Sequence, residues 1–484
     1  MSNKRITETE ISKIHKLPKE ISKKLYSYQL NHSLRLINIL YKNNSVLDAS
    51  DTGTGKTYAA VATVKYMNLK PIIICPKSVI STWKEVTKIF NLNPLMIVNY
   101  ETIKMGKSYD KKGNRILSKF IYEKTNPTTK QISYGWKIPN NTIFIFDEAH
   151  KCRHLDTQNS MLLLSAKDTQ QRIMLLSATI SDKPENFKIF TYVLNFLDPE
   201  QKIDFIDYMN TMTSWMYKAP KPMQRIHNML YPNRASRIRI NDLGDLFPET
   251  QIIAQSYTLD ANRAKKIEEN YSIIAEQLNK LESDKKKDKQ NKMGNYKKVN
   301  PLTVVLRARQ EIELLKVTIF VELAQDFIEN GYSVVLFVNF TRTLKTLSEM
   351  LKTTDLIYGQ QTQEERDMII NKFQTNKSNI IIVNIQAGGV GISLHDKNGK
   401  YPRASILSPN WSSTSMVQAL GRIHRAGGKS KSLQRIVYAA ETVEETIAQN
   451  IKNKLKDINS INNGDLDLTN IQFDKTKRKF VKIN

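Results

Sequence analysis

The chain has 484 residues, 40% of them hydrophobic and 25% charged, a composition that excludes a disordered or fibrous protein. That length exceeds one ordinary core, so two domains of common size are expected. The 73 Lys and Arg outnumber the 47 Asp and Glu for a net charge of +26, which points to polyanionic partners and to nucleic acid foremost.

An AT-rich coding genome would also enrich Lys, Asn and Ile, so motifs have to decide the partner. Two cysteines, Cys75 and Cys152, exclude a disulfide framework and a CxxC metal site. They set the expectation of a reducing, intracellular and broadly cytoplasmic setting. No apolar run reaches the roughly 18 residues of a membrane span. MSNKRITETE lacks the apolar core of a signal peptide, so no membrane partner is expected.

Residues 1–24 read as an N-terminal extension. VLDASDTGTGKTYAAVATVKYM then predicts a strand, a turn of small residues and a helix. In that order Gly53, Gly55, Lys56 and Thr57 form a phosphate-binding loop, whose backbone N–H groups and helix N-terminus cradle phosphates. Lys56 is placed to reach the β- and γ-phosphates and Thr57 to ligate Mg²⁺. The strict pattern GxxxxGK[ST] has glycine where Ser50 stands, and another small residue still permits the turn. Kinases, transporters and GTPases share such a loop, and a chance GKT in a Lys-rich chain is not rare, so the loop alone does not fix the class.

PIIIC (71–75) predicts a strand buried on both faces, and so do TIFIFDE (142–148) and RIMLLSAT (172–179). Between the first two lies a basic stretch (106–135) that reads as a surface hairpin. TIFIFDE ends in Asp147 and Glu148, at the strand end where an α/β sheet places ligand contacts. There Asp147 suits Mg²⁺, and Glu148 suits orientation and deprotonation of the attacking water.

Residues 201–300 read as an intervening helical and basic insertion, with a helix over about 259–282 and the charge run 283–298 as a solvated protrusion. SVVLFVNF (333–340) and NIIIVNI (379–385) predict a second set of buried parallel strands within 301–455. In PNWSSTSMVQALGRIHRAG, Gln418, Arg422 and Arg425 recur at i, i+4 and i+7, which predicts one helix face beside Trp411. Residues 456–484 read as a basic tail, mobile unless docked. The fold class is α/β, with two parallel-sheet lobes (25–200 and 301–455) and helical or irregular insertions between them.

LYSYQ (25–29), GTGKT, CPKSVISTWKEV (75–86), NYETI (99–103), DEAH (147–150), LLSAT (175–179), VVLFVNFTRTL (334–344), NIQAGGVGISL (384–394) and QALGRIHRAG (418–427) occur in this order. With them the chain resembles the superfamily 2 helicases, most closely the Swi/Snf-related DNA translocases, over most of residues 25–450. The resemblance implies that both lobes are RecA-like and that ATP and Mg²⁺ are the cofactors. It casts Gln29 as the reader of adenine and Gly53, Thr54, Gly55, Lys56, Thr57 and Gly391 as nucleotide contacts.

It further casts Lys56, Asp147, Glu148, Gln418, Arg422 and Arg425 as catalytic, with Arg425 the favoured arginine finger, a task suited to the cationic fork of arginine. Thr57 and Asp147 hold the metal. His150, Ser177 and Thr179 couple the ATP site to the track, and Lys77, Ser78, Tyr100, Thr102, Asn339 and Gly388 contact nucleic acid, DNA before RNA. Tyr100 could instead be packing.

Two features depart from the Swi/Snf-related pattern. Gly421 stands where an acidic residue is usual, and SAT replaces GTP, as in viral transcript-release and DExH helicases. Duplex translocation and strand separation therefore both stay open, while an ATPase-dead scaffold is disfavoured by intact Lys56, Asp147, Glu148 and Arg425. The Asn/Lys/Ile-rich character resembles proteins of large DNA viruses. A viral source would place the chain in host cytoplasm or virion; a monomeric motor is expected, with transcription or replication proteins as candidate partners.

Overall fold

All five apolar runs are strands: each lies inside a parallel sheet covered by helices on both faces, which is why polar alternation is missing from them. The computed structural model describes residues 16–110, 112–125, 132–178, 180–181, 184–197, 204–218, 221–240, 242–243, 250–287, 301–388, 392–409, 412–445, 448 and 471–478. These fall into two compact units, one ending before residue 248 and the other beginning there. The stretch expected to intervene, 201–300, is therefore shared between them.

In the first unit, helix α1 (Ser27–Asn43) leads into β1 (Ser45–Asp48), a turn and helix α2 (Lys56–Tyr66). Then come β2 (Lys70–Cys75), α3 (Ile80–Ile89) and β3 (Met96–Asn99). The basic stretch is two hairpins rather than one: β4 (Lys107–Tyr109) with β5 (Arg115–Leu117), and β6 (Ile121–Thr125) with β7 (Ile132–Trp136). After them come β8 (Thr142–Asp147), α4 (Gln158–Asp168) and β9 (Arg172–Leu176).

Three further helices (Lys188–Val193, Phe205–Tyr217 and Pro222–Leu230) bring the chain back to a two-residue strand, β10 (Ala235–Ser236). The sheet order is β10-β1-β9-β8-β2-β3, with every pair parallel. Its core of Ile72, Ile74, Phe144, Phe146, Ile173 and Leu175 is sealed from water.

The second unit opens with β11 (Thr250–Tyr257), helices α5 (Ala261–Lys287), α6 (Pro301–Leu315) and α7 (Val317–Glu329), then β12 (Ser333–Val338) and α8 (Thr341–Met350). Strands β13 (Leu356–Ile357) and β14 (Ile380–Asn384) flank α9 (Gln363–Gln374). β15 (Arg403–Leu407), α10 (Ser413–Leu420), β16 (Ser432–Ala439) and β17 (Ile471–Arg478) follow. The parallel sheet runs β13-β14-β12-β15-β16-β11-β17. Part of the expected tail is thus its last strand.

The helix expected near 259–282 extends to Lys287 and packs on α6 through Ile267, Ile274, Val305, Ala308 and Ile312. Residues 288–298 of the charge run lie outside the described residues. Where α6 meets α7, Lys316 is buried and donates to both carboxylate oxygens of Glu444, at 2.7 and 2.9 Å. Glu444 also accepts the Ala439 N–H at 2.7 Å, so the buried charge is both paired and hydrogen-bonded.

Candidate active site

The loop after β1 turns through Gly53 and Gly55, at φ 88° and 87°, values that favour glycine. A β-carbon at Gly55 would lie 2.2 Å from Nε2 of Gln29. Gln29 is buried and already occupied: its Oε1 accepts the Tyr26 N–H at 2.9 Å, and its Nε2 donates to the Thr54 carbonyl at 2.9 Å. The residue expected to read adenine here clamps the loop. Lys56 Nζ donates to the carbonyls of Ser50 (2.8 Å) and Asp51 (3.1 Å), two oxygens that phosphate can replace. Burial lowers the Lys56 pKa, and Asp48, Glu148, Asp147 and Asp51 work against that shift.

Ser50, the residue in place of the motif's glycine, is a hub. Its hydroxyl accepts the Ile238 N–H at 2.9 Å and lies 3.3 Å from His32 Nε2, while its N–H donates to Asp48 Oδ1 at 3.0 Å. His32 reaches Asp48 Oδ2 at 3.0 Å, and its other ring nitrogen sits 2.9 Å from the Ser236 hydroxyl. Burial alone would raise the Asp48 carboxyl. His32, Lys56 and Ser50 together hold it below the usual range. Asp51 is held from outside by Arg237 at 2.5 Å and by the Ile240 N–H at 2.9 Å.

At the end of β8 the Trp83 indole donates to Asp147 Oδ2 at 2.8 Å and the Tyr100 hydroxyl to the Asp147 carbonyl at 2.9 Å. Burial, then Glu148, pushes the Asp147 carboxyl up to about 7, against the pull of Trp83 and Lys56. Glu148 adopts φ 55°, in the left-handed region, and its Oε2 lies 3.3 Å from His150 Nδ1. The same nitrogen is 3.2 Å from the Ser177 hydroxyl, so two of the three coupling candidates touch. Thr179 lies outside the described residues.

The candidates for contact with nucleic acid divide. Lys77 is exposed and Ser78 half-buried on the turn after β2. Tyr100 and Thr102 are both buried: Tyr100 braces Asp147, in keeping with the packing alternative, and Thr102 bonds with Tyr109 at 3.1 Å. Asn339 gives its amide hydrogens to Glu313 (2.7 Å) and the Pro409 carbonyl (3.0 Å), which fixes the turn after β12. Gly388 ends a short helix after β14. Gly391 and Trp411 lie outside the described residues.

The single helix face expected for Gln418, Arg422 and Arg425 is also corrected. α10 ends at Leu420 with Gly421 as its C-cap, which puts both arginines in the following turns. Arg422 is buried, with Nε on the Gln418 carbonyl at 2.9 Å. Arg425 is half-buried, with Nε on the Gly421 carbonyl (3.1 Å) and Nη1 on the Ser393 hydroxyl (2.8 Å). Of the two, Arg425 is the more available to a ligand.

His32, Trp83 and Arg237 join the site beyond the residues expected there. His32 carried a signal, because it follows Gln29 by three residues on the face of α1 that also buries Ser33 and Leu36. Arg237 carried none, since only the return of the chain to β10 brings it to Asp51.

The family model described as DEAD/DEAH box helicase matches residues 32–187, and the one described as Helicase conserved C-terminal domain matches 315–427. Protein L364 of Acanthamoeba polyphaga mimivirus, named for an ATP-dependent RNA helicase activity, is 39% identical over 491 residues, covering 96% of this chain and 88% of that protein. The CHD3-type chromatin-remodeling factor CHR7 of Arabidopsis thaliana is 24% identical over 90% of this chain, which spans 37% of its length. Among solved structures, the Sulfolobus solfataricus SWI2/SNF2 ATPase core in complex with dsDNA is 18% identical, with a TM-score of 0.35 over 91% of this chain and 93% of that one. S. cerevisiae Dbp5 bound to RNA and ADP BeF3 is 13% identical, with a TM-score of 0.47 over 96% and 94%.

Proposed function

The chain belongs to the superfamily 2 ATP-dependent helicases and translocases and is an ATP hydrolase; we propose that it spends each hydrolysis on a step along DNA. The observation that supports the reading best is the phosphate loop, with Lys56 resting on carbonyl oxygens beside the Asp147–Glu148 strand end.

In this reading the γ-phosphate takes the Lys56 bonds now made to Ser50 and Asp51, and the N-terminal amides of α2 bind the phosphates beside it. Thr57 and Asp147 offer the hard oxygen donors that Mg²⁺ prefers, so the pair would suit it. Such a cation neutralises phosphate charge. Glu148 takes the proton of the attacking water, and its neighbour His150 passes the change to Ser177 in LLSAT. Arg425 stabilises the charge that develops on the phosphate.

ATPase assays with single-stranded DNA, duplex DNA and RNA, beside strand-displacement assays, test this. Stimulation by duplex DNA without displacement is the expected result; no stimulation by any nucleic acid would refute it. A second reading, strand separation on RNA linked to transcription, draws support from the name of the mimivirus relative and from SAT in place of GTP. RNA stimulation with displacement would favour it. Transcription or replication proteins as partners, and a large DNA virus as source, go with either reading.

A further inference from the structure

Neither reading uses the basic stretch between β3 and β8. From residue 104 to 137, nine Lys and Arg stand against Asp110 and Glu123. The β6–β7 hairpin sorts its residues by face. Ile121 pairs with Trp136 and Glu123 with Tyr134 on one side, Tyr122 with Gly135 and Lys124 with Ser133 on the other.

The first side is the mount. Ile121 and Tyr134 are buried, Trp136 stacks edge-on against Phe144 of β8 at 4.6 Å, and its indole donates to Ser165 of α4 at 2.9 Å. The hairpin is therefore fixed to the sheet that ends in Asp147.

The second side faces water, and its partners are the smallest residues available. A β-carbon at Gly135 would lie 2.3 Å from Cζ of Tyr122, so the ring lies across the glycine, in space that any larger residue would fill. Tyr122 is 41% exposed even so. The ammonium groups of Lys124 and Lys137 each lie over the ring, 5.5 Å from its centroid, and the Lys124 charge also reaches Asp168 at the end of α4. An exposed aromatic ring with two lysine ammonium groups over it, on a hairpin packed against the sheet, has the elements of a stacking platform for a nucleic-acid strand, whose base would displace the ammonium groups toward its own phosphates.

We propose that the outer face of β6–β7 binds an unpaired nucleic-acid strand, with a base stacked on Tyr122 and the neighbouring phosphates held by Lys124 and Lys137. The occupant follows from charge complementarity and from the ring: phosphate alone needs no exposed tyrosine, and an apolar partner would not select two ammonium groups. The proposal rests on the nucleic-acid reading above and adds a contact that no helicase motif in this chain supplies.

The test uses the full chain and short oligonucleotides carrying 2-aminopurine, in single-stranded DNA, single-stranded RNA and duplex forms. Wild type should quench the single strands on binding and spare the duplex; DNA and RNA arms show which sugar is preferred. Tyr122→Ala should weaken single-strand binding between about five- and 150-fold and lose the quench, whereas Tyr122→Phe keeps both. Lys124→Gln with Lys137→Gln should keep the quench and reduce the salt slope of binding by about 1.4, from two phosphates at about 0.7 each. Thermal midpoints equal to wild type certify the folds.

Unchanged single-strand binding in Tyr122→Ala, or equal losses in the alanine and phenylalanine variants, overturns the platform while duplex-stimulated ATPase leaves the motor reading standing. If wild type binds no oligonucleotide and none stimulates it, both fall.

Discussion

Replacing Gly55 with alanine isolates the clamp on the phosphate loop. At φ 87° an alanine pays about 1–2 kcal/mol for the left-handed backbone. The added β-carbon, 2.2 Å from Gln29 Nε2, forces that amide away and removes its bond to the Thr54 carbonyl, a further 0.5–1.5 kcal/mol or so. The total, about 1.5–3.5 kcal/mol, falls on the loop that must receive phosphate. In a Gln29→Ala background the obstruction is already gone, so Gly55→Ala should cost only the backbone part of about 1–2 kcal/mol. Titrating a fluorescent ATP analogue against wild type, both single variants and the double variant gives the cycle. Equal costs of Gly55→Ala in both backgrounds would show that Gln29 does not govern the position, and wild-type affinity in the single variant would refute the loop geometry itself.

Lys56→Ala should abolish hydrolysis, with wild-type turnover counting against the phosphate loop. Arg425→Ala should keep nucleotide binding and lose about 10³-fold or more in turnover, and an unchanged rate would point to Arg422 instead. The Asp147 carboxyl, raised to about 7 in the fold, binds its proton more tightly there than in the unfolded chain, so it takes stability away as pH rises from about 4 to 7. Asp147→Asn should therefore out-melt the nucleotide-free wild type at pH 8 but not at pH 4.5; a margin independent of pH would refute the raised pKa. Lys316→Met leaves Glu444 buried without its cation and should cost about 3–5 kcal/mol in urea unfolding of the second unit, while a loss under 1 kcal/mol would mean that water reaches the pair.

Much of this was legible in the chain because burial on both faces writes itself as uninterrupted Ile, Val, Leu and Phe, as in PIIIC and SVVLFVNF. β11, β15 and β16 escaped notice because Gln251, Gln255, Arg403, Gln434 and Arg435 break their apolar pattern, and partners drawn from distant segments absorb that polarity: Arg403 Nη1 donates to Asn376 at 2.9 Å, and the Ser405 hydroxyl to Gln434 at 3.0 Å. At the site, Lys56, Asp147 and Glu148 stand in short motifs whose spacing carries their chemistry. For Gln29, Tyr100 and Asn339 a motif marks which residue is needed without saying whether it meets the ligand or holds something that does. Tyr100 and Asn339 hold backbone carbonyls and turns, work visible only once the strands are side by side.

Strand β10 gives the phosphate loop a timetable. Ser50 and Asp51 receive Ile238, Arg237 and Ile240 from almost 190 positions later in the chain, and β1 gains Ala235 and Ser236 as its neighbours only then. A ribosome that has released residues up to 193 has delivered both GKT and DEAH, yet the outer wall of the loop is still unmade. Nucleotide competence should arrive late, after about residue 240 has cleared the exit tunnel, with the Ser50 hydroxyl and the Asp51 carboxylate exposed until that moment. A truncated fragment chosen to end with the last motif of the first lobe would carry every signature of the ATPase and still lack the strand that closes it.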